Sequence, residues 1–323
     1  MPKNVCGDPS ETFTRYAAGL ARKERLSPDA AKDGGGLRAQ LIQGLLEQGV
    51  RGRVSRRTFT TSGKIPPGCR SCLRGRGSNL CLTTLCNKNC FFCFNPKPRK
   101  KGMSVHGRPA ETAEQAVEIL KEADVVSVGL SGGEPLLDPA ATLETARAIK
   151  AKMGAKMRLD LYTNGDLLTP ALAQAIKEAG INGLRINLAA RDYDPAPVRL
   201  ALGAGLPAEV EIPAVPEHEA RVKLLMEELD EMGAPHLILH ELFASAQNLD
   251  SLKEKGLKGK DDQDDPKNLT WAPVAGSEET AYRLMAYAQG RGFRLSVYYC
   301  SCGTQEWIAE NALRRRRYQQ KGG

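Results

Sequence analysis

Three cysteines in one short segment are the strongest chemical signal in this sequence. Cys86, Cys90 and Cys93 are spaced C-x3-C-x2-C. Three thiolates at this spacing can ligate three irons of one cubane iron–sulfur cluster, which leaves the fourth iron open to a cofactor or a substrate. A structural zinc loop is the alternative, although a zinc site usually takes four ligands from two separated pairs. The apolar neighbours that would shield a cluster from water are Phe91, Phe92 and Phe94.

Four further cysteines form two pairs that lie far apart in the chain. Cys69 and Cys72 are spaced C-x2-C, and Cys300 and Cys302 are spaced C-x-C. If the fold joins these two segments, the four thiols can hold a second iron–sulfur cluster or a zinc ion. Two alternatives stay open. Cys69 and Cys72 can pair reversibly as a dithiol, or all four thiols can be unligated.

Glycine and polar residues end several of the predicted strands. Ser131-Gly132-Gly133-Glu134-Pro135 ends the second strand, and Tyr162-Thr163-Asn164-Gly165 ends the third. Two adjacent glycines let the backbone approach a ligand closely. Arg185 and Asn187 lie on the fourth strand. By itself an Asn-Gly pair is more typical of a turn than of a binding site.

With these motifs the sequence resembles the radical S-adenosylmethionine (radical SAM) superfamily over roughly residues 79–300. Cys86, Cys90 and Cys93 match the cluster motif of that family, and Gly132-Gly133-Glu134 matches its Gly-Gly-Glu motif. The sequence is most similar to the branch related to pyruvate formate-lyase-activating enzymes. It differs from those enzymes in its N-terminal extension of 78 residues and in its additional cysteines.

The resemblance implies a [4Fe-4S] cluster that is held by the three cysteines and chelated at its open iron by S-adenosylmethionine. It further implies an oxidoreductase-type reaction, in which reductive cleavage of the cofactor gives a 5′-deoxyadenosyl radical that takes hydrogen from a peptide, protein or metabolite. An electron donor such as flavodoxin or ferredoxin is implied as a partner. The cofactor contacts that the resemblance implies are Phe92, Gly132, Gly133, Glu134, Asn164, Arg185 and Asn187.

Strand and helix patterns alternate along the middle of the chain. The strands are predicted to start near Asn79, Val125, Met157, Gly183, Glu209 and His236. The helices between them are predicted at Thr112–Ala123, Pro139–Lys152, Pro170–Ala179, Asp194–Ala201 and Glu217–Met232. This alternation is typical of a parallel sheet built from βαβ units. Six units are too few for a closed eight-stranded barrel, so the predicted fold class is α/β, with a partial (β/α)6 TIM-type barrel whose site lies at the carboxyl ends of the strands.

Several predicted strands have one apolar face and one polar face. In the third strand, Asp160 and Tyr162 share one face, and Leu159 and Leu161 share the other. Since side chains alternate along a strand, we expect the apolar faces to pack on helices and the polar faces to line the barrel. A barrel packed for stability alone is filled with branched apolar side chains, so a polar interior predicts a cavity for a polar ligand. Exposure of both faces in an antiparallel sheet is the alternative.

Three polar residues near strand ends are candidate substrate contacts. These are Asp160, His240 and Glu241. For Asp160 and Glu241, the alternative is an internal ion pair with a barrel arginine such as Arg158.

The chain divides into three predicted segments. Residues 1–78 form a helical or irregular extension with the C-x2-C pair, residues 79–245 form the core barrel, and residues 246–323 form a lid loop followed by a helix–strand–helix region. The lid prediction rests on Phe243–Gly276, since an uninterrupted loop of that length is usually a functional lid or disordered.

Composition limits the remaining possibilities. The chain has 323 residues, a net charge of +8 and no apolar run long enough to span a membrane. The amino terminus has no apolar signal core, so we expect a cytoplasmic protein with reduced thiols. Basic groups such as Arg51–Arg57 keep an RNA-modifying enzyme open as an alternative, but few aromatic residues interleave with them, so nucleic acid is not the favoured partner. A non-enzymatic iron–sulfur or zinc protein is the other alternative.

Overall fold

The structure is a computed structural model, and it describes residues 34–260 and 271–320. The strands in chain order are β1 (Arg51–Arg53), β2 (Thr58–Thr60), β3 (Gly77–Thr83), β4 (Lys101–Val105), β5 (Arg108–Ala110), β6 (Ser127–Gly132), β7 (Arg158–Thr163), β8 (Gly183–Ile186), β9 (Ala208–Ala214), β10 (His236–Glu241), β11 (Phe243–Ala244), β12 (Ala272–Pro273) and β13 (Ser296–Cys300). The α-helices in chain order are α1 (Gly34–Glu47), α2 (Pro67–Leu73), α3 (Ala113–Lys121), α4 (Pro139–Met153), α5 (Pro170–Glu178), α6 (Ala196–Gly203), α7 (Glu219–Glu231), α8 (Leu249–Glu254), α9 (Ser277–Arg291) and α10 (Cys302–Gln320). None of the helices in these ranges is both long and apolar enough to cross a lipid bilayer.

A mostly parallel sheet forms the centre of the molecule. Its order is β1-β2-β13-β10-β9-β8-β7-β6-β3-β4-β5. Parallel pairing joins seven of these strands in this spatial order: β3, β6, β7, β8, β9, β10 and β13. The six predicted strands and the five predicted helices between them are all present, so the predicted α/β barrel-type fold is confirmed. β13 extends the predicted set to a seventh parallel strand.

Antiparallel strands border the parallel sheet on both sides. On one side β2 pairs with β13, with Thr60 opposite Tyr298 and Phe59 opposite Tyr299. On the other side β4 pairs with β3, and β5 pairs with β4. The region before residue 79 therefore contributes strands to the same sheet as the predicted core barrel. The division of the chain at residues 78 and 245 stays a prediction.

Short polar side chains fix where the connecting helices begin. Thr112 accepts a hydrogen bond from the backbone amide of Gln115 at the start of α3, at 3.3 Å. Asp138 and Thr169 do the same at the starts of α4 and α5. Such caps satisfy backbone donors that have no partner within the helix. They set the helix starts, and with them the lengths of the βα connections that carry the polar residues at the strand ends.

The two faces of the central strands differ as the sequence predicts. Leu159 and Leu161 are fully buried and belong to the main hydrophobic core, together with residues of the surrounding helices. Asp160 is also buried, but it points to the other face, where it pairs with Arg158. The interior of the curved sheet is therefore polar and charged, as predicted.

The long segment Phe243–Gly276 is not an uninterrupted loop in its described part, so the expected lack of secondary structure is wrong, and its role as a lid stays a prediction. It contains the short helix α8 and the strands β11 and β12, which pair with each other. Leu249 and Leu252 are buried with Leu257 in a small separate core. Leucines at this spacing give a short helix one apolar face, which orders the segment by burial. Residues 261–270 lie outside the described residues.

Candidate active site

The three clustered cysteines lie in the loop that follows β3, at the carboxyl end of the sheet. The amide of Cys93 donates to the carbonyl of Cys90 at 3.1 Å, and the amide of Lys88 lies 3.4 Å from the Cys86 sulfur. Burial, together with the neighbouring thiols of Cys93 and Cys86, raises the pKa of Cys90 to about 11. Without a metal the Cys90 thiol is therefore protonated at neutral pH. Within the described residues, no group of three or more histidine, cysteine or acidic side chains is already arranged to hold a metal ion.

Charged side chains fix the first half of the cysteine loop. Arg99 donates to the carbonyls of Cys86, at 3.2 Å, and of Lys88. The Lys88 ammonium group pairs with Asp166 at 2.7 Å, and Asn87 donates to the same carboxylate at 3.1 Å. Asp166 follows β7, so this carboxylate ties the loop after β3 to the end of a different strand.

A buried amide fixes the second half of the loop. Asn248 donates to the carbonyl of Phe92 at 3.1 Å and to that of Phe243 at 3.0 Å. Its side-chain oxygen accepts from the amide and the hydroxyl of Ser245. Phe92 packs against the small leucine core. The loop between Cys90 and Cys93 therefore shares its support with the segment around α8.

The Gly-Gly-Glu motif joins the end of β6 to the start of the cysteine loop. A Cβ atom on Gly132 would lie 2.1 Å from the Thr83 carbonyl oxygen, and one on Gly133 would lie 2.0 Å from the Leu85 carbonyl oxygen. Gly132 also has a φ of +134°, which only glycine adopts readily. The amide of Gly133 donates to Thr83 at 2.6 Å, and that of Glu134 donates to Leu85 at 2.7 Å. Both glycines are required by this close approach of two backbones.

The Glu134 carboxylate is fully buried and bonded within the protein. It accepts from the amide of Leu136 at 2.9 Å, the hydroxyl of Thr163 at 2.8 Å and the amide of Asn164 at 2.7 Å. Burial raises its pKa, and these hydrogen bonds oppose the shift. The carboxylate thus fixes the end of β7 relative to the end of β6. Direct contact between Glu134 and a cofactor stays a prediction.

Two predicted cofactor residues lie at the carboxyl ends of β7 and β8, and one of them, Asn164, contacts the cysteine loop. The Asn164 amide group donates to the side chain of Asn87 at 2.7 Å and lies 3.9 Å from the Cys86 sulfur. The backbone amide of Asn187 donates to the Thr163 carbonyl at 2.9 Å. The side-chain oxygen of Asn187 is buried and has no hydrogen-bond partner among the residues that the structure describes. An unsatisfied buried oxygen is costly, and a donor from a bound molecule would satisfy it.

Arg185 lies deeper in the barrel, in a buried charge cluster. Its guanidinium group is 2.6 Å from Glu211 and 3.4 Å from Glu209, and it lies over the ring of Tyr162. His240 contacts the other carboxylate oxygen of Glu211 at 2.8 Å. Although burial raises the pKa of Glu211, Arg185 and His240 lower it to about 2. The structure therefore gives Arg185 internal partners, and its contact with a cofactor stays a prediction.

The candidate substrate residues differ in their surroundings. Asp160 pairs with Arg158 at 2.7 Å. This is the internal ion pair that the sequence left open as the alternative to a substrate contact. Glu241 is fully buried and also forms an internal ion pair, but with Lys260 at 3.2 Å. His240 keeps 30% of its side chain exposed at the end of β10. Of the three, His240 is the one best placed to meet a molecule in the barrel.

A comparison with known proteins relates part of the chain to one family. Residues 80–211, which run from β3 to β9 and include the cysteine loop, match the Radical SAM superfamily. The chain is similar to that superfamily over these residues. The match supports the predicted enzyme class and the predicted cofactors of the family, a [4Fe-4S] cluster and S-adenosylmethionine.

Individual relatives match parts of this chain. A putative glycyl-radical enzyme activating enzyme of Methanocaldococcus jannaschii is 29% identical over 249 residues, which are 73% of this chain and 63% of that protein. The chain thus spans less than two thirds of that relative's length. The AdoMet-dependent heme synthase of Methanosarcina barkeri is 36% identical over 114 residues, 33% of this chain and 29% of the synthase. The crystal structure of Streptococcus suis SuiB bound to S-adenosylmethionine is similar in fold, with a TM-score of 0.51 at 14% identity, over 69% of this chain and 50% of SuiB.

The residues of the candidate site fit the cofactors of the radical SAM superfamily. The loop offers three partly buried thiols, which are suitable donors for iron. The amide group of Asn164 supplies a polar group beside the loop, and the unpartnered oxygen of Asn187 supplies another at the end of the next strand, β8. Phe91 and Phe92 pack edge to face, with ring centroids 5.2 Å apart, and provide an apolar wall.

The other four cysteines lie on two segments, α2 and the end of β13 with the start of α10, that meet in the fold. Cys69 on α2 packs against the small cluster of Ile238, Tyr298 and Cys300, and it accepts a hydrogen bond from Arg185 at 3.2 Å. Burial raises the pKa of Cys69 to about 12 and that of Cys72 to about 11. The amide of Cys302, which is also buried, donates to Glu241. The fold does bring the two segments together. A second metal there stays a prediction.

Sequence reasoning missed how three residues support the cysteine loop. Arg99, Asp166 and Asn248 bond to carbonyls and side chains of the loop and not to the cysteine thiols. No local pattern links Asn248 to the loop, because its partner there, Phe92, lies 156 positions away in the sequence. Asp166 follows the Asn-Gly turn after β7. Its position at a strand end was the sequence feature from which a contact with the cysteine loop could have been inferred.

Proposed function

We propose that this protein is a radical SAM enzyme that takes a hydrogen atom from a protein or peptide substrate. The observation that carries the proposal is the loop of Cys86, Cys90 and Cys93 tied by backbone contacts to the Gly-Gly-Glu motif at the carboxyl end of the sheet. When bound, the cluster and S-adenosylmethionine supply one-electron cleavage of the cofactor and hydrogen abstraction. The substrate class rests on the relative named as a glycyl-radical enzyme activating enzyme.

The residues of this chain then have distinct roles. The three cysteines hold the cluster, and the backbone of Gly132 and Gly133 with Asn164 and Asn187 supplies polar contacts to the cofactor. The Glu134 carboxylate accepts a hydrogen bond from the backbone amide of Asn164 and so holds Asn164 in position. His240 faces the substrate, held in orientation by Glu211. Since metal-ligating thiols must stay reduced, we also infer a cytoplasmic location.

Cleavage of S-adenosylmethionine tests this function directly. The protein is loaded anaerobically with iron and sulfide, reduced with dithionite and given S-adenosylmethionine, and 5′-deoxyadenosine is measured. Wild type and Cys81→Ala form the product, because Cys81 lies on β3 outside the loop and bonds to Thr83. Cys90→Ala forms none. An intact cluster without product in the wild type would contradict the proposal.

The second thiol group is a separate proposal. We propose that Cys69, Cys72, Cys300 and Cys302 bind a second iron–sulfur cluster or zinc after their side chains rearrange around the metal. Metal analysis of the loaded protein decides it, since one cubane accounts for about four irons per chain. About four irons and no zinc, unchanged by Cys69→Ser with Cys300→Ser, would exclude the second site.

A further inference from the structure

A row of arginines follows helix α10 towards the amino end of the sheet. Three segments of the chain contribute to it: β1 with the helical turn after it, the turn between α2 and β3, and α10 itself. The members, all at least partly exposed, are Arg53, Arg56, Arg74, Arg76, Arg314 and Arg315. These six residues are called the arginine strip below.

Hydroxyl groups hold the first part of the strip against the start of α10. The carbonyl of Arg56 accepts hydrogen bonds from the side chains of Ser301 and Thr304, each at 2.8 Å. The guanidinium groups of Arg53 and Arg56 each lie 5.6 Å from the centre of the Trp307 ring. Two cations therefore meet at one half-buried aromatic side chain.

Close backbone contact holds the second part of the strip against α10. The Arg315 side chain donates to the carbonyl of Arg74 at 2.8 Å, and Asn311 donates to that of Leu73 at 3.4 Å. A Cβ atom on Gly75 would lie 2.8 Å from the carbonyl carbon of Asn311, so the turn touches the helix. Both parts contact α10 within about 12 Å along its axis, so the strip is one surface.

Only part of this positive charge is neutralised nearby. Arg76 pairs with Asp124 at 2.9 Å, and Arg315 lies 3.9 Å from the same carboxylate. Arg314 pairs with Glu310 at 3.2 Å. The remaining three members of the strip form no ion pair with any carboxylate that the structure describes. Unpaired charges of one sign at a surface attract a partner of the opposite sign.

The chemistry of the strip favours a nucleic acid over an acidic protein. All six cations are arginines, whose planar guanidinium groups bind phosphate through two parallel hydrogen bonds. Few aromatic residues interleave with the basic groups in the sequence, but the fold brings Trp307 from the other end of the chain to Arg53 and Arg56. Unpaired bases stack on aromatic rings that lie beside positive charge in this way.

We propose that the arginine strip binds single-stranded nucleic acid, with backbone phosphates on the guanidinium groups and a base on the Trp307 ring. This goes beyond the proposed function, because neither the cluster nor S-adenosylmethionine takes part and no bond forms or breaks. The bases of a duplex are paired and stacked on one another, so a duplex gains nothing from the ring. The turn with Arg74 and Arg76 immediately precedes β3, so the strip reaches the end of the sheet opposite the cysteine loop.

Variants that remove charge test the proposal. Arg53→Gln with Arg56→Gln alters the strip, and Arg147→Gln with Arg199→Gln on α4 and α6 is the control. Arg147 and Arg199 are exposed, form no ion pair within the described part of the chain, and carry the same total charge as the pair in the strip. Fluorescence anisotropy measures binding of the cluster-loaded protein to a short labelled single-stranded RNA of mixed sequence, at increasing salt concentration.

The strip variant is expected to bind this RNA about tenfold more weakly than wild type at low salt. The slope of the logarithm of affinity against that of salt concentration should fall by about 1.4, at about 0.7 for each lost phosphate contact. The control is expected to stay within about twofold of wild type. Single-stranded DNA of the same sequence is measured in parallel, and tighter binding of the RNA than of the DNA identifies RNA as the ligand.

Replacing the ring separates base stacking from charge. Trp307→Leu keeps the net charge, so its salt dependence should match wild type while its affinity for the single-stranded RNA falls about tenfold. Its affinity for duplex RNA should not change. Thermal unfolding checks that each variant folds, and the arginine pairs decide alone if Trp307→Leu does not.

Several results would overturn the proposal. These are an equal loss of RNA affinity in the strip variant and the control, no loss in either, or tighter binding of duplex than of single strands by the wild type. Unchanged RNA affinity in the strip variant with weaker binding of polyglutamate overturns it in favour of an acidic protein. All the arginine variants are expected to form 5′-deoxyadenosine normally with dithionite, so a failure of the proposed function leaves the binding test unaffected.

Discussion

The Glu134 carboxylate accepts a hydrogen bond from the backbone amide of Asn164 at 2.7 Å, which links the end of β6 to the end of β7. The side chain of Asn164 then reaches Asn87 in the cysteine loop at 2.7 Å. A buried acid that touches no thiol therefore sets the position of a polar group next to Cys86. The Gly-Gly-Glu motif acts in this chain as a support for the loop as well as a candidate cofactor contact.

Replacing Glu134 should weaken both the fold and the binding of S-adenosylmethionine. Glu134→Gln keeps the shape but replaces one acceptor oxygen with a donor that faces backbone amides, so we expect a loss of about 1–3 kcal/mol in the free energy of unfolding. Urea unfolding and equilibrium binding of S-adenosylmethionine measure the two effects. Glu144→Gln on the exposed face of α4 is the matched control and should change neither. Equal stability of both variants would contradict the supporting role.

Replacing Asn248 should loosen the cluster without removing a ligand. In Asn248→Asp a carboxylate oxygen faces the carbonyl oxygens of Phe92 and Phe243. Because these oxygens repel one another, the second half of the cysteine loop loses the hydrogen bond that holds it. We expect faster loss of iron to a chelator, measured by the decay of the cluster absorbance. Asn89→Asp is the control, because Asn89 is exposed and its oxygen only accepts from Arg99. Cluster lifetimes that match in the two variants would rule out this role for Asn248.

The two glycine positions Gly133 and Gly44 should respond oppositely to alanine. Gly133→Ala places a Cβ atom about 2.0 Å from the Leu85 carbonyl, so the loop must shift, and we expect reduced stability and poor cluster loading. Gly44 lies within α1, where a Cβ atom meets nothing within 4 Å. Gly44→Ala should therefore stabilise the protein by about 0.5–1 kcal/mol. Thermal unfolding of both variants gives the comparison, and a stabilising Gly133→Ala would refute the close backbone contact.

The buried Glu211 should make stability depend on acidic pH. Arg185 and His240 lower its pKa to about 2, although burial opposes them, whereas an unfolded glutamate titrates near 4.3. The stability that the ionised carboxylate provides is therefore present above about pH 4.3 and is lost as the pH falls towards 2. Unfolding of the metal-free protein at several pH values measures it. The difference in stability between wild type and Glu211→Gln should shrink over this range, and a constant difference would show that Glu211 has no lowered pKa.

The sequence alone predicted the features that depend on local patterns. The alternation along β7 follows from residues close together in the chain, and it corresponds to what the structure contains. The spacing of Cys86, Cys90 and Cys93 is equally local, and the cluster that it predicts stays a prediction. The polar interior was predictable for the same reason, because Asp160 lies between Leu159 and Leu161 on a strand.

Features that depend on long-range pairing could not be predicted in the same way. The pairing of Phe59 with Tyr299 joins residues from opposite ends of the chain, and no local pattern specifies it. Arg185 resembled a cofactor contact, but its position was decided by Glu209 and Glu211, which belong to the next strand. The leucine spacing around Leu249 was a usable signal for α8, yet the glycines and lysines after it suggested a loop.

The proposed function requires that three thiolates hold a cluster whose open iron binds S-adenosylmethionine. Electron–nuclear double resonance on the reduced, loaded protein measures it most directly, with the cofactor isotopically labelled at its α-amino nitrogen. A magnetic coupling between the cluster and that nitrogen is expected in the wild type and should persist in Cys81→Ala. An intact reduced cluster with bound cofactor and no such coupling would contradict the claim.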